Sequence, residues 1–236
     1  GWSNRYRNAL TDDVPDGESV MQWLDAHKPD DVKLCVIHGD WRIDNLVFDL
    51  KNKRLAGVLD WELATVGDPL MDLGSALAYW IDRDDDPAFA TLRRQPSDIE
   101  GMPTRNQIIE SYIERSGINC SDFTFYEVFG LFRLSVIIQQ IWARYRAGQT
   151  SNPAFAGFGV GVNILMQRAQ GLIWQHGGGR CGCECAGAFR HGCTAGGGVP
   201  SADTRERRGP LVSGILCNDA QVFATLSRLT RYAALT

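Results

Sequence analysis

Three polar side chains within the first 60 residues have types and positions suited to phosphate chemistry: Asp40, Asn45 and Asp60. Each adjoins a short apolar run, and these runs cover residues 34–37, 46–48 and 55–59. The polar groups therefore lie where extended segments meet loops, which is where functional side chains are commonly held.

Phosphoryl transfer needs positioning and charge neutralisation more than covalent catalysis. Magnesium takes a few hard oxygen ligands and keeps several waters, so the amide of Asn45 and the carboxylate of Asp60 suit it. A separate carboxylate, that of Asp40, can accept the proton of an attacking hydroxyl. We interpret the set as a phosphoryl-transfer site.

Local structure must bring these residues together. The segment Lys51-Asn52-Lys53 has the composition of a turn, so the second and third apolar runs are predicted to form a hairpin. Folding that hairpin would bring Asn45 and Asp60 to the same end, beside the loop that carries Asp40.

The ordered motifs resemble a known family. Residues 38–45 spell H-G-D-x-x-x-x-N, which resembles the catalytic loop of the aminoglycoside phosphotransferase and choline kinase superfamily, a protein-kinase-like group. Asp60-Trp61-Glu62 resembles the family's metal-binding motif, and residues 67–74 extend the likeness. It covers roughly residues 1–173 and is closest to the kinase-like domain that occurs alone in bacteria or fused to acyl-CoA dehydrogenases.

The resemblance implies a fold class and a chemistry. The fold is expected to be α+β and mainly helical, the C-terminal lobe of a protein-kinase-like aminoglycoside phosphotransferase. Mg²⁺ and ATP are the implied cofactors. Asp40 is the implied catalytic base, and Asn45 and Asp60 are the implied magnesium and cofactor-binding residues.

Supporting roles are implied for Asp72, His38 and Glu62. Asp72 is expected to anchor the catalytic loop through hydrogen bonds to its backbone. The alternative for Asp72 is an ordinary, partly exposed helix carboxylate.

The implied nucleotide lobe has no counterpart in the sequence before His38, which is only 37 residues long. We therefore expect a C-terminal lobe from a longer protein that transfers phosphate from ATP to a small-molecule hydroxyl. Aminoglycoside-like, choline-like and hydroxyacyl acceptors stay open. The expected protein partners are the missing nucleotide lobe and a fused acyl-CoA dehydrogenase. The alternative is a non-catalytic, kinase-like remnant or binding module.

Composition argues against nucleic acid and membranes as partners. The net charge of −4 gives no electrostatic signature for nucleic acid, and no apolar run is long enough to span a membrane. Cys35 and Cys120 lie singly, which is typical of a reducing cytoplasm. We expect a cytoplasmic protein.

The apolar periodicity after the motifs predicts helices over 69–81, 123–147 and from Asn152-Pro153 to Trp174. Another helix opens at Thr104 with a capping-box pattern and ends at Gly117. Ser121 is a possible cap for the 123–147 helix. The glycines at 157, 159 and 161 are interpreted as close helix packing.

The acidic run Asp82–Asp86 begins a predicted loop that reaches Pro103. Such a run could attract a cationic aminoglycoside, but a solvated loop is the favoured interpretation.

Composition changes after Trp174, which suggests a lobe at 1–174 and a Gly/Arg/Cys-rich tail at 175–236. The tail is interpreted as disordered or non-native, with no contribution to fold or chemistry. A zinc site is a less favoured alternative, because the spacing of the tail cysteines is tighter than usual. Its ligands would come from Cys181, Cys183, Cys185, Cys193, His176 and His191.

Overall fold

The computed structural model describes residues 1–177. Within this range the helices are α1 (Trp2–Asn8), α2 (Glu18–Ala26), α3 (Pro69–Leu77), α4 (Pro87–Ala90), α5 (Arg105–Ser116), α6 (Thr124–Arg146) and α7 (Phe158–Gly177). The strands are β1 (Cys35–Ile37), β2 (Leu46–Asp49), β3 (Arg54–Val58) and β4 (Thr65–Gly67). None of the described helices has the length and apolar character needed to cross a membrane.

The strands form two small antiparallel pairs. β2 and β3 make the predicted hairpin, with Leu46 opposite Val58 and an irregularity in register between Val47 and Phe48. β1 pairs with β4, so the segment that leads into the loop with His38 and Asp40 is held by the segment that precedes α3.

Helix α6 forms the centre of the core. It packs along α7 and α3, and its buried residues join those of α2 and α7 in one apolar cluster. The α3–α6 crossing is very close, because a Cβ at Gly130 would lie 2.0 Å from the carbonyl oxygen of Gly74. The predicted role of the α7 glycines is confirmed at two positions, where Gly159 lies against Trp142 and Gly161 against Ile138.

Local sequence signals fix several helix ends. The capping box of α5 is present, with reciprocal bonds between Thr104 and Gln107, and Gly117 ends the helix in the left-handed region. The predicted cap of α6 by Ser121 is wrong. The next residue, Asp122, accepts the backbone N–H of Thr124 at 2.9 Å.

Helix α3 ends at Leu77 instead of the expected Ile81. The chain tightens there, since the N–H of Trp80 bonds to the carbonyl of Leu77 at 3.0 Å. The N–H of Ile81 bonds to Ser97 Oγ at 2.9 Å, so a partner distant in sequence replaces the helical carbonyl.

The acidic run is not a solvated loop as a whole, and the predicted loop to Pro103 contains the short helix α4. The Asp85 side chain is only 5% exposed and forms a bidentate pair with Arg105 at 2.6 and 2.7 Å. Arg168 of α7 reaches the same carboxylate at 2.9 Å. The run therefore includes a structural ion-pair network that joins α5 and α7 to the segment before α4.

We expect Asp85→Asn to lower the free energy of unfolding by about 1.5–3 kcal/mol, the range for hydrogen bonds to charged groups. Burial acts to raise the pKa of the Asp85 carboxyl, but the bonds from Arg105 outweigh it and hold that pKa below its ordinary value. An aspartate whose pKa is lowered by folding stabilises the fold at pH values above its unfolded pKa of about 3.9. The difference in free energy of unfolding between the parent chain and Asp85→Asn should therefore shrink as the pH falls below about 4. Urea unfolding at several pH values measures this difference. The exposed neighbour Asp84, changed to Asn, is the control and should shift stability by less than about 0.5 kcal/mol.

The expectations for the tail largely fall on residues 178–236, which lie outside the described range. Helix α7 continues three residues past the predicted boundary at Trp174, to Gly177. The zinc hypothesis for the tail cysteines and the division into lobe and tail stay predictions.

Candidate active site

The loop between β1 and β2 holds Asp40 and Asn45 in direct contact. Asn45 is buried, and its Nδ2 donates to the Asp40 carbonyl at 2.9 Å and lies 3.4 Å from Asp40 Oδ2. Both bonds use the amide nitrogen, which leaves the amide oxygen as the atom suited to a hard cation. The Asp40 side chain is 19% exposed, so a substrate could reach it.

The hairpin brings Asp60 to the same end as Asn45, as predicted. The N–H of Leu59 donates to the Asn45 carbonyl at 2.8 Å, which places Asp60 one residue beyond this bond. Asp60 has φ 63° and ψ 55°, a left-handed conformation that few residues other than glycine, asparagine and aspartate adopt. Residues other than glycine in this conformation are found often at functional positions.

Asp72 makes the hydrogen bonds expected of an anchor. Its two carboxylate oxygens accept the backbone N–H groups of His38 at 2.8 Å and Gly39 at 2.9 Å. Burial raises the pKa of this carboxyl, and the two amide bonds partly oppose that rise. Gly39 has φ 79°, and a Cβ there would lie 2.6 Å from the Leu63 carbonyl oxygen, so this tight loop requires glycine.

His38 connects the loop that carries Asp40 to the strand end that precedes Asp60. Its Nε2 donates to the Leu59 carbonyl at 2.8 Å, which leaves Nδ1 to accept the N–H of Asp40 at 3.2 Å. This tautomer follows from the two partners, because a carbonyl can only accept and an amide N–H can only donate. Buried His38 thus fixes the position of Asp40 relative to Leu59.

Glu62 lies in the exposed 3₁₀ turn Trp61–Leu63, directly after Asp60. Among the described residues, no group of three or more His, Cys, Asp or Glu side chains is arranged to hold a metal ion. One amide and one carboxylate still fit magnesium, which retains waters and binds substrate phosphates.

Comparison with known proteins matches residues 1–106 to the family described as the phosphotransferase enzyme family. The match takes in somewhat less than half of the 236-residue chain. The matched segment includes the catalytic loop, the hairpin and the loop anchor, so the resemblance inferred from the three motifs is confirmed.

Two curated relatives are larger proteins. Acyl-CoA dehydrogenase family member 10 of Mus musculus is 37% identical over 153 residues, which is 64% of this chain and 14% of that protein. Acyl-CoA dehydrogenase family member 11 of Homo sapiens is 34% identical over 158 residues, which is 64% of this chain and 20% of that protein. The chain thus spans a fifth or less of the length of these relatives.

A solved structure supports the fold directly. A candidate aminoglycoside phosphotransferase from Ralstonia eutropha JMP134 aligns with a TM-score of 0.62 and 28% identity, covering 74% of this chain and 53% of that chain. The predicted α+β, mainly helical fold, as part of a protein-kinase-like phosphotransferase, is confirmed.

Two residues that hydrogen-bond to the loop between β1 and β2 were not identified from the sequence. Gln95 accepts the N–H of Ile43 at 3.2 Å and donates to the Tyr79 carbonyl at 3.3 Å. Arg133 of α6 donates to the Gly39 carbonyl from a buried position. A charged residue within an apolar helix was a signal for Arg133, whereas nothing in the sequence around Gln95 indicated its role.

Arg42 places a positive charge beside the proposed base. Its Nε lies 3.7 Å from Asp40 Oδ2, its Nη2 donates to Asp44 at 2.8 Å, and its guanidinium lies 5.2 Å from the centre of the Tyr79 ring. Arg42 therefore links the side chains of Asp40 and Asp44 within the loop between β1 and β2.

A cavity of about 120 Å³ opens beside the catalytic loop, between β1, α3 and α5. Most of its lining is apolar or aromatic. The lining includes Ile37, Trp41, Trp61, Leu73, Leu77, Trp80, Ile108 and Tyr112, and its polar members besides Asp72 are His38, Arg42, Gln95, Ser111 and Arg115. Asp72 is the one carboxylate in this lining, and it is already bonded to the loop.

We expect Asp72→Asn to loosen the catalytic loop. One acceptor oxygen becomes an NH₂ group, which cannot accept the backbone N–H it would face. If the substitution lowers the free energy of local opening by about 1.4 kcal/mol, the amide of His38 or Gly39 should exchange roughly tenfold faster. Hydrogen exchange by NMR measures this. Asp44→Asn, on an exposed side chain of the same loop, should leave both amides unchanged.

Proposed function

We propose that the chain contributes the catalytic lobe of an ATP-dependent phosphotransferase that acts on a hydroxyl group of a small molecule. The main support for this proposal is the hydrogen bond between the Asn45 side chain and the Asp40 carbonyl. The backbone bond from Leu59 to Asn45 places Asp60 next to the same loop. Asp72 and His38 hold this loop from two sides.

Each residue has one role in the proposed reaction. Asp40 accepts the proton as the acceptor oxygen bonds to the γ-phosphorus and the bond to the β-phosphate oxygen breaks, releasing ADP. The Asn45 amide oxygen and the Asp60 carboxylate would hold magnesium, which supplies charge neutralisation for the phosphates. Asp72, His38 and Gln95 keep the base and the ligands in place.

The cavity favours an acceptor with an apolar body. Its tryptophans and aliphatic side chains offer no free acidic group to a polycationic aminoglycoside, and Asp85 of the acidic run is committed to Arg105 and Arg168. The acyl-CoA dehydrogenase names of the relatives point in the same direction. We therefore place a hydroxyacyl compound ahead of choline or an aminoglycoside.

The test uses a polypeptide in which this chain is joined to a nucleotide lobe. Transfer of labelled γ-phosphate from ATP is measured with a hydroxyacyl thioester, choline and an aminoglycoside as acceptors. We expect the hydroxyacyl compound to be phosphorylated with the highest kcat/KM. Preference for the aminoglycoside would overturn the acceptor assignment, and transfer to none of the three would oppose the enzymatic proposal.

A further inference from the structure

The wall that α5 contributes to the cavity changes from apolar to cationic along the helix. Ile108, Ser111, Tyr112 and Arg115 all line the cavity. Their spacing of three or four residues places them on one face of α5. Ile108 packs against the apolar cluster of α3, whereas Arg115 lies two turns later in the exposed last turn of α5. At a rise of 1.5 Å per residue, the apolar and cationic ends of this wall are about 10 Å apart.

Arg115 is oriented by a neighbour in the same wall. Its Nε donates to Ser111 Oγ at 3.2 Å, a bond between side chains one helical turn apart. A guanidinium has five N–H donors in a planar fork, and this geometry suits a carboxylate or a phosphate. Ser111 thus holds a group suited to anion recognition against the cavity wall.

The charges in the cavity lining favour an anion. Among the described residues, the members of the lining with a formal charge are Arg42, Arg115 and Asp72. Arg42 is balanced by two aspartates of its own loop, and Asp72 accepts two backbone amides. Glu110 and Glu114, the acidic residues of α5 nearest to Arg115, lie outside the lining. The apolar wall beside Arg115 also weakens the solvent screening of its charge.

The size of the cavity limits what lies between the catalytic loop and Arg115. An engineered apolar cavity of about 150 Å³ in another protein accepts benzene, so the volume of about 120 Å³ suits an apolar body of roughly five or six carbons. His38 lines the cavity and accepts the N–H of Asp40, which places the proposed base next to this space. A ligand that fills the cavity would therefore have a hydroxyl group near Asp40 and a short aliphatic body.

We propose that Arg115 binds an anionic group of the acceptor, a carboxylate or a phosphate, and thereby selects acceptors that carry one. Ser111 is a positioning residue for this guanidinium. The proposal rests on the proposed phosphotransferase function, since that function makes the cavity the acceptor site. The anionic group has two possible sources, the carboxylate of a free hydroxy acid and the phosphates of a coenzyme A thioester.

The test is equilibrium binding to the full 236-residue chain without ATP, so its result does not depend on phosphoryl transfer. Calorimetry measures affinity, and the fluorescence of Trp41, Trp61 and Trp80 reports occupancy, since these side chains line the cavity. One pair of probes is 3-hydroxyhexanoate and the neutral hexane-1,3-diol. The other pair is 3-hydroxyhexanoyl-CoA and its N-acetylcysteamine thioester, which lacks the phosphates. We expect the anionic member of one pair to bind at least ~10-fold more tightly, and that pair identifies the source.

Arg115→Gln should abolish this preference and leave the affinity for the neutral member within about twofold of the parent chain. Arg115→Lys should retain part of the preference, because it keeps the charge without the planar fork. The matched control is Arg144→Gln in α6, an exposed arginine outside the cavity whose Nε also bonds one turn back, to the Gln140 carbonyl at 3.2 Å. Added salt should weaken the preference in the parent chain, an effect that a purely structural role of Arg115 would not produce.

The proposal is overturned if neither pair shows a preference in the parent chain, or if the preference persists in Arg115→Gln. Circular dichroism and the melting temperature verify that each variant is folded. A separate assay uses the chain joined to a nucleotide lobe. Equal kcat/KM for the hydroxy acid and the diol, and for the two thioesters, would leave the phosphotransferase function standing and remove the anion site.

Discussion

Replacing Asp40 with asparagine should lower turnover at least ~100-fold in a polypeptide that combines this chain with a nucleotide lobe, the usual scale of a general-base contribution. The substitution preserves the size of the side chain and its proximity to Asn45 Nδ2, which lies 3.4 Å from Asp40 Oδ2. It removes the group that accepts the acceptor's proton. The loss should appear in kcat, with little change in KM for ATP, because the base acts in the transition state.

Asp44→Asn is the matched control, since Asp44 lies in the same loop and pairs with the same arginine as Asp40. Its turnover should stay within about twofold of the parent enzyme. Asp60→Ala should lose as much activity as Asp40→Asn, but part of its loss should be recovered at higher magnesium, because a weakened metal site can be refilled by mass action. Near-normal turnover in Asp40→Asn would contradict the assignment of the base.

Replacing Gly130 with alanine should destabilise the fold by at least about 4 kcal/mol, among the largest effects of single substitutions. The added Cβ would lie 2.0 Å from the Gly74 carbonyl oxygen and 2.5 Å from its carbon. Gly74 is equally confined, because its own Cβ would lie 2.1 Å from the Tyr126 carbonyl oxygen. Both obstacles are backbone, so no side-chain rotation relieves them, and α3 must move away from α6 together with Asp72.

The control is Gly171→Ala in α7, where a Cβ meets nothing within 4 Å. Alanine should stabilise this helix by about 0.5–1 kcal/mol relative to glycine. Thermal and urea unfolding measure the free energy of unfolding, which should fall in Gly130→Ala and rise in Gly171→Ala. A Gly130→Ala variant as stable as the parent chain would mean that α3 and α6 do not cross as described.

Local sequence determined much of this protein. The turn at Lys51–Lys53 and the apolar runs beside it specified the hairpin, and its pairing carried Asn45 and Asp60 to one end. The capping box at Thr104 and the glycine at 117 fixed α5, because these signals act between residues three or four apart. The order of the motifs gave the family, which the comparisons confirm.

Only the tertiary structure revealed the contacts between residues that are distant in sequence. Asp85 became a buried ion-pair partner only because α5 and α7 converge on it, whereas its acidic neighbours suggested a solvated loop. Gln95 bonds to Ile43, 52 residues away, and the ring contact between His27 and His176 depends on α2 packing beside α7. Sequence periodicity reports which face of an element is apolar, but hydrogen bonds and ring contacts between distant residues depend on how the elements pack.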